Sequence, residues 1–342
     1  MTKTYLITGG AGFIGATFIL HLLENTTTDI RVINLDALTY AANLENLRSV
    51  ANAPRYTFIK GNITDAALVG QIFDTHKPDA VVHFAAESHV DNSIKNPNIF
   101  VETNVVGTQV LLEAARTVWL DKPVTKNNRF HHISTNEVYG SLGETGYFTE
   151  ETAYAPNSPY SASKAASDML VRAYFHTFGL NAVITNCSNN YGARQHGEKL
   201  IPTLIRNALA GKPLPIYGDG KNIRDWLHVT DHCTAIERVL ENGKAGETYV
   251  IGSNNEQDNL TIAHYVCGIL DGLKPRADGL SYTTQISFVE DRRGHDRRYA
   301  IDATKIREHL GWQASYSFEQ GLAETVAWYA LQQEQSSAKP AA

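Results

Sequence analysis

Tyr160 and Lys164, four residues apart in Pro159-Tyr160-Ser161-Ala162-Ser163-Lys164, are a pair whose types and spacing allow acid–base chemistry. On a helix that separation puts both on one face, so an ammonium can sit beside a phenol. A tyrosine near its ordinary pKa of about 10 is a poor base at neutral pH. An adjacent cation, helped by an oxidised nicotinamide, favours the phenolate. Such pairs also arise on helices with no chemical role, so the surroundings decide. Ahead of it lies Ile133-Ser134-Thr135-Asn136-Glu137-Val138-Tyr139-Gly140. Residues 129–134 alternate and read as a buried strand, which puts the polar cluster beginning at Thr135 at that strand's carboxyl end. In an open α/β sheet that is where ligands bind.

The elements that must carry these side chains begin with a short apolar strand at residues 4–8. It runs into Gly9-Gly10-Ala11-Gly12-Phe13-Ile14-Gly15, after which Phe13, Ile14, Phe18 and Leu22 repeat at helical spacing. Glycines at 9, 12 and 15 permit a tight turn, close approach to a pyrophosphate and packing of the helix on the sheet, while the helix start supplies unpaired N–H groups. A second strand, residues 31–35, ends in Asp36. A carboxylate there accepts ribose hydroxyls and repels a 2′-phosphate, so the cofactor expected is NAD rather than NADP. Residues 56–60 and 80–84 read as further strands separated by helical patterns, the alternation of a parallel, doubly wound sheet. The second opens into Ala85-Ala86, small enough for a flat dinucleotide or for ordinary close packing. Residues 98–116 read as a long amphipathic helix whose apolar stripe is wide enough to cover both the sheet and a neighbouring subunit.

Residues 181–187 form another strand that opens into Ser188-Asn189-Asn190-Tyr191-Gly192, amides suited to sugar or ribose hydroxyls, or to capping a turn. Proline and glycine then punctuate the chain, as in a separate lobe. A helix at 231–240 and a strand at 247–251 should return to the sheet. The fold class is therefore α/β: a Rossmann-like doubly wound parallel sheet with a smaller C-terminal α/β substrate-binding lobe. We expect residues 1–190, with 226–252, to form the dinucleotide domain, residues 191–225 and 253–330 the lobe, and residues 331–342 a flexible tail. Asp291-Arg292-Arg293-Gly294-His295-Asp296-Arg297-Arg298 suits either a solvated face or a diphosphate clamp.

The chain has 342 residues and a net charge of -6, which argues against a nucleic-acid surface. No apolar stretch approaches the roughly 18 residues of a membrane span, so a cytoplasmic protein is expected. Cys187, Cys233 and Cys267 are far apart and odd in number, which suits buried reduced thiols rather than a disulfide frame or a metal site.

With these motifs in hand, the chain resembles the extended short-chain dehydrogenase/reductases, and among them the nucleotide-sugar 4,6-dehydratases. Further marks are Asp36-Ala37-Leu38-Thr39-Tyr40-Ala41, Ala85-Ala86-Glu87-Ser88-His89-Val90-Asp91, Lys199-Leu200-Ile201-Pro202, Ile223-Arg224-Asp225-Trp226 and Gly294-His295-Asp296. The resemblance implies NAD, a nucleotide-diphosphate hexose (dTDP-glucose first), a homodimer, and oxidation at C4, loss of water across C5–C6 and reduction at C6. It implies that Tyr160 takes the C4 hydroxyl proton with Lys164 and Thr135 in support, that Glu137 removes the C5 proton, and that residue 136 protonates the departing hydroxyl. Implied cofactor contacts are Gly9, Gly12, Phe13, Ile14, Gly15, Asp36, Thr39, Ile63, Ala85, Ala86, Thr103, Tyr160, Lys164 and Asn189. Implied substrate contacts are Ser88, Thr135, Asn190, Lys199, Leu200, Pro215, Tyr217, Arg224, Asn259 and His295.

One departure matters. Where the family has an aspartic acid, this chain has Asn136, whose amide has no acidic proton to give. General acid catalysis typically contributes about 10²–10⁴ in rate. A slowed elimination is expected. The alternatives are a nucleotide-sugar 4-epimerase, which needs no base for C5, and a non-catalytic protein that binds NAD and a nucleotide sugar.

Overall fold

Short runs rich in Val, Ile and Leu become strands here because both sheet faces are covered, so each run can be apolar throughout. The structure, a computed structural model, describes residues 2–25, 29–121 and 128–338. The chain opens with β1 (Lys3–Thr8), α1 (Phe13–Leu20), β2 (Ile30–Asp36), β3 (Tyr56–Lys60), α2 (Ala66–His76) and β4 (Ala80–His83). Then come α3 (Val90–Lys95), α4 (Pro97–Phe100), α5 (Gly107–Trp119), β5 (Arg129–Thr135), α6 (Pro159–Phe178) and β6 (Ala182–Cys187). Beyond these lie β7 (Asn189–Tyr191), α7 (Leu200–Leu209), β8 (Leu214–Tyr217), β9 (Ile223–His228), α8 (Val229–Asn242) and β10 (Thr248–Ile251). The last elements are β11 (Glu256–Asp258), α9 (Asn259–Leu273), β12 (Ile286–Val289), α10 (Thr304–Leu310) and α11 (Phe318–Ala338).

Seven strands pair in the order β10-β6-β5-β4-β1-β2-β3, all parallel. Winding runs outward one way from β1 and the other way from β4, so the two neighbours diverge and leave a crevice beyond their carboxyl ends. Alternate residues of each strand feed opposite faces. Tyr5 and Ile7 of β1 meet Phe18 and Leu22 near α1 and Ile236 of α8 in one cluster, while Leu6 joins Ile72, Leu111, Leu112 and Val171 from α2, α5 and α6 on the other side.

The remaining strands build the lobe. β11, β9 and β7 form a three-stranded sheet, and β8 pairs with β12. Their core gathers Tyr191, Ile205, Trp226, Val266 and Leu322 from α7, α9, α11 and the strands between. Ile306 of α10 and Trp312 instead pack with Val183, Val239 and Tyr249 behind the main sheet.

Two expectations differ from what is observed. The helix expected over residues 98–116 is interrupted by a wide π turn at Val101–Val106. Its extra residue turns Asn104 inward, where the amide accepts from the Glu87 backbone N–H at 2.8 Å and donates to Glu87 O at 3.0 Å and to Ser163 Oγ at 2.8 Å. Such turns concentrate at functional sites. Secondly, α11 continues to Ala338, through positions expected to begin a tail at 331; residues 339–342 lie outside the described residues. All three cysteines are buried and free. Among the described residues no helix is long and apolar enough to cross a membrane, and no three His, Cys, Asp or Glu side chains cluster as metal ligands.

Candidate active site

The turn after β1 is shaped by glycines that no other residue replaces cheaply. Gly9 has φ +71, and a Cβ there would lie 2.7 Å from the Ala85 backbone. A Cβ on Gly15 would come within 2.4 Å of Gly9 O. Gly15→Ala is therefore expected to lower stability by about 1–3 kcal/mol, the usual cost of forced overpacking. Thermal or denaturant unfolding checks this, and an unchanged midpoint would mean that α1 slides freely off the turn. Gly12 provides no side-chain cap to α1, which leaves the helix's first N–H groups available to an anion. At the end of β2 the Asp36 carboxylate accepts from Ala11 N at 2.9 Å and from Leu38 N at 2.8 Å. Burial raises its pKa against those two bonds. A phosphate-accepting helix start beside a fixed carboxylate fits the pyrophosphate and ribose of a dinucleotide.

The crevice is a cleft of about 580 Å³. On its lining are Gly9, Gly12, Phe13, Ile14, Gly15, Asp36, Thr39, Ile63, Ala85, Ala86, Thr103 and Asn189, together with Thr135, Asn136, Glu137, Tyr160 and Lys164. Residues far apart in sequence are thus gathered on one surface by the strand ends.

α6 begins where it does because Ser158 caps it, accepting from Ser161 N at 3.0 Å, with Pro159 in its first turn; it ends at Gly179, φ 74. That start fixes Tyr160 and Lys164 one turn apart. The ammonium, however, donates to Ile133 O at 2.8 Å and lies 3.4 Å from His132 Nε2. Burial pushes Lys164 down to about 8, opposed by Asp168. Burial also pushes the Tyr160 phenol well above its ordinary value, Glu137 adds to this, and a hydrogen bond with Thr135 works the other way. Burial is the largest influence on the phenol among the chain's own groups, with Lys164 one turn away on the same helix.

Asn136 and Glu137 follow β5 in a single 3-10 turn, Asn136–Tyr139, capped by Thr135 Oγ1, which accepts from Glu137 N at 3.2 Å. Burial raises the Glu137 pKa; the cations of Lys199, Arg224 and Arg292 oppose this, and Asp296 adds to it. Asn136 is 1% exposed, its Oδ1 accepts from Thr135 Oγ1 at 3.4 Å, and its Nδ2 has no partner. A buried donor left open at the cleft surface is a place for a ligand hydroxyl.

Of the sugar-side candidates, Ser88, Asn190 and Lys199 line this cleft. The Lys199 ammonium donates to Ser88 O at 3.2 Å. Asn190 is already engaged, through His232 Nδ1 at 2.8 Å and Ser188 O at 3.0 Å. Leu200, Pro215, Tyr217, Arg224, Asn259 and His295 are not part of that lining. Leu200 starts α7 against the lobe core, Pro215 pairs within β8, and Asn259 starts α9 with its N–H on Asn222 O at 3.2 Å. Tyr217 and His295 form a second group with ring centroids 6.3 Å apart, joined by Arg292 at 5.2 Å from the Tyr217 ring. Arg224 lies 4.2 Å from the Tyr299 ring. Arg292 also spans from lobe to main domain, its Nε 2.6 Å from Asp91 Oδ1. Gln195, His196 and Glu198 line the cleft and were not anticipated; nothing in their spacing marks them.

Known proteins resemble this chain over nearly its whole length. The family described as GDP-mannose 4,6 dehydratase matches residues 6–325. The dTDP-glucose 4,6-dehydratase of Xanthomonas campestris pv. campestris (strain B100) is 58% identical over 332 residues, which are 96% of this chain and 94% of that protein. The Salmonella typhimurium enzyme of the same name is 54% identical over 335 residues, 95% and 92% of the two chains. DesIV, a dTDP-glucose 4,6-dehydratase from Streptomyces venezuelae crystallised with NAD bound, superposes with a TM-score of 0.88 at 46% identity, covering 97% of this chain and 98% of that one.

Proposed function

This chain belongs to the family of the dTDP-glucose 4,6-dehydratases, within the broader GDP-mannose 4,6 dehydratase family, and from that premise we propose that it converts dTDP-glucose to dTDP-4-keto-6-deoxyglucose with NAD. The observation that carries this is the convergence of Tyr160, Asn136 and Glu137 on the cleft that also holds the glycine turn and Asp36. The uncapped start of α1 would hold the pyrophosphate of NAD and Asp36 a ribose, and the bound cofactor would supply a hydride acceptor for the sugar's C4 and a hydride donor for C6. Tyr160 removes the C4 hydroxyl proton, with Thr135 as its hydrogen-bond partner and Lys164 behind it. A ketone at C4 makes the C5 hydrogen acidic, and Glu137 removes it. A carboxylate whose pKa is raised toward neutrality is well matched to that task. The Asn136 amide holds the C6 hydroxyl by a hydrogen bond but has no acidic proton, so the proton that Glu137 takes from C5 passes to the departing hydroxyl, which leaves as water, and solvent returns a proton to C5 when hydride reaches C6. Lys199, Arg224 and Arg292 supply positive charge on the lobe side for the diphosphate.

We assign the dinucleotide to the main sheet and the nucleotide sugar to the lobe. Exposed Ile94, Ile99, Val101, Val106, Met169 and Phe178, on α3 to α6, support a homodimer through that face. We propose a cytoplasmic location. Incubation with dTDP-glucose and NAD tests the reading: a product absorbing in alkali as a 4-keto sugar is expected, and silence with dTDP-glucose alongside turnover of another nucleotide sugar overturns it.

A further inference from the structure

Lys164 is 4% exposed, and its two nearest polar neighbours, Ile133 O and His132 Nε2, carry no negative charge. Other titratable groups surround it. His83 on β4 and His132 on β5 are kept neutral by burial, and Cys187 on β6 stays a thiol, its pKa pushed up to about 12. Burial opposes charge on Tyr160, on the same helix, as well. Glu137, in the turn after β5, feels the cations of Lys199, Arg224 and Arg292. What remains is Asp168, one further turn along α6 and 0% exposed. Its Oδ2 accepts from Ser134 Oγ at 2.9 Å, Tyr154 OH at 2.8 Å and Asn186 Nδ2 at 3.1 Å. Its Oδ1 faces His132 Nε2 at 3.2 Å, so the imidazole stands between carboxylate and ammonium. Burial raises the pKa of this carboxyl, and Lys164 and the three neutral donors on one oxygen work the other way, toward the ionised form. They come from β5, the loop before α6 and β6, the very elements that must hold register for Tyr160 to reach the cleft.

We infer that Asp168 is a positioning residue for the reaction: a buried anion, pinned by Ser134, Tyr154 and Asn186, that keeps the Lys164 ammonium charged and aimed at the strand end beside Tyr160. It touches neither sugar nor cofactor and acts through Lys164. The inference rests on the functional reading above for its kinetic test, but not for its stability test.

Asp168→Asn keeps the shape and can keep an oxygen for the three donors while removing the charge. In single-turnover reduction of bound NAD by dTDP-glucose, the lysine must remain protonated, so the rate falls as pH rises through the Lys164 pKa. Without the anion that alkaline limb should move to lower pH by about one unit or more, the effect of losing a close opposite charge, with little change in the concentration of sugar needed. A purely structural residue would lower the melting temperature and leave the limb in place, which overturns the inference. If Asp168→Asn does not fold, Lys164→Met and the Lys164→Met/Asp168→Asn pair decide. Removing the lysine strands a buried charge, so the double variant should melt at or above the temperature of Lys164→Met, with no further loss of residual rate. A double variant that melts well below Lys164→Met overturns the inference. Failure of the wild-type protein to reduce NAD would instead fault the functional reading, and the melting comparison would still judge Asp168.

Discussion

Glu137→Gln is expected to lower steady-state turnover of dTDP-glucose by about 10²–10⁴, the usual contribution of a positioned general base, while bound NAD still becomes reduced in a single turnover. The two outcomes separate because the first oxidation uses Tyr160 and the elimination uses Glu137. Glutamine preserves size and hydrogen bonding and removes only the basic oxygen. Rapid-mixing absorbance of NADH, followed on the same sample as product formation, reads both. A 4-epimerase needs no base at C5, so undiminished turnover in this variant would return the choice to that chemistry. The pH profile of the unmodified enzyme carries the same information with a definite sign. Burial raises the Glu137 pKa above the usual carboxylate range. The base form is therefore lost earlier as pH falls, and the acid limb of turnover should lie above that of an exposed glutamate.

Asn136→Asp should act in the opposite direction, raising turnover by one order of magnitude or more toward the ~10²–10⁴ that a general acid contributes. Position 136 is 1% exposed and its Nδ2 finds no partner, so an aspartate placed there would be desolvated and held protonated near neutral pH. It would then present an acidic proton where the amide now offers only a hydrogen bond. The rate of single-turnover NAD reduction should stay nearly constant, because that step precedes loss of water. Steady-state kinetics of the two proteins under identical conditions test this, and equal turnover would mean that Glu137 or water already returns the proton.

Much of the main sheet was legible because parallel strands buried on both faces leave plain apolar runs. β3 falls on residues 56–60 as read, and β5 extends one residue further, to Thr135. The glycine turn and Asp36 were legible because their conformational and charge requirements are local. The partner of Lys164 was not, since a backbone carbonyl such as Ile133 O leaves no mark in sequence. Asp168 lies four residues after Lys164, a spacing at which opposite charges meet on one helical face, so this partner leaves a mark in sequence. The π turn at Val101–Val106 interrupts a stripe whose composition gives no hint of an extra residue. Lobe contacts were hardest. Tyr217, Arg292 and His295 meet only through tertiary packing of segments from β8 and from the loop after β12.

The order of strands along the chain has a consequence for biosynthesis. Six of the seven strands in the main sheet, β1 to β6, are complete by Cys187, whereas the lobe's apolar core draws on residues as late as Val326. Polypeptides fold from the amino end as they leave the ribosome. The nascent chain therefore completes these six strands while β6 is still an open edge awaiting Thr248–Ile251 and one sheet face still awaits α8, and translation must run nearly to its end before the lobe's core can close.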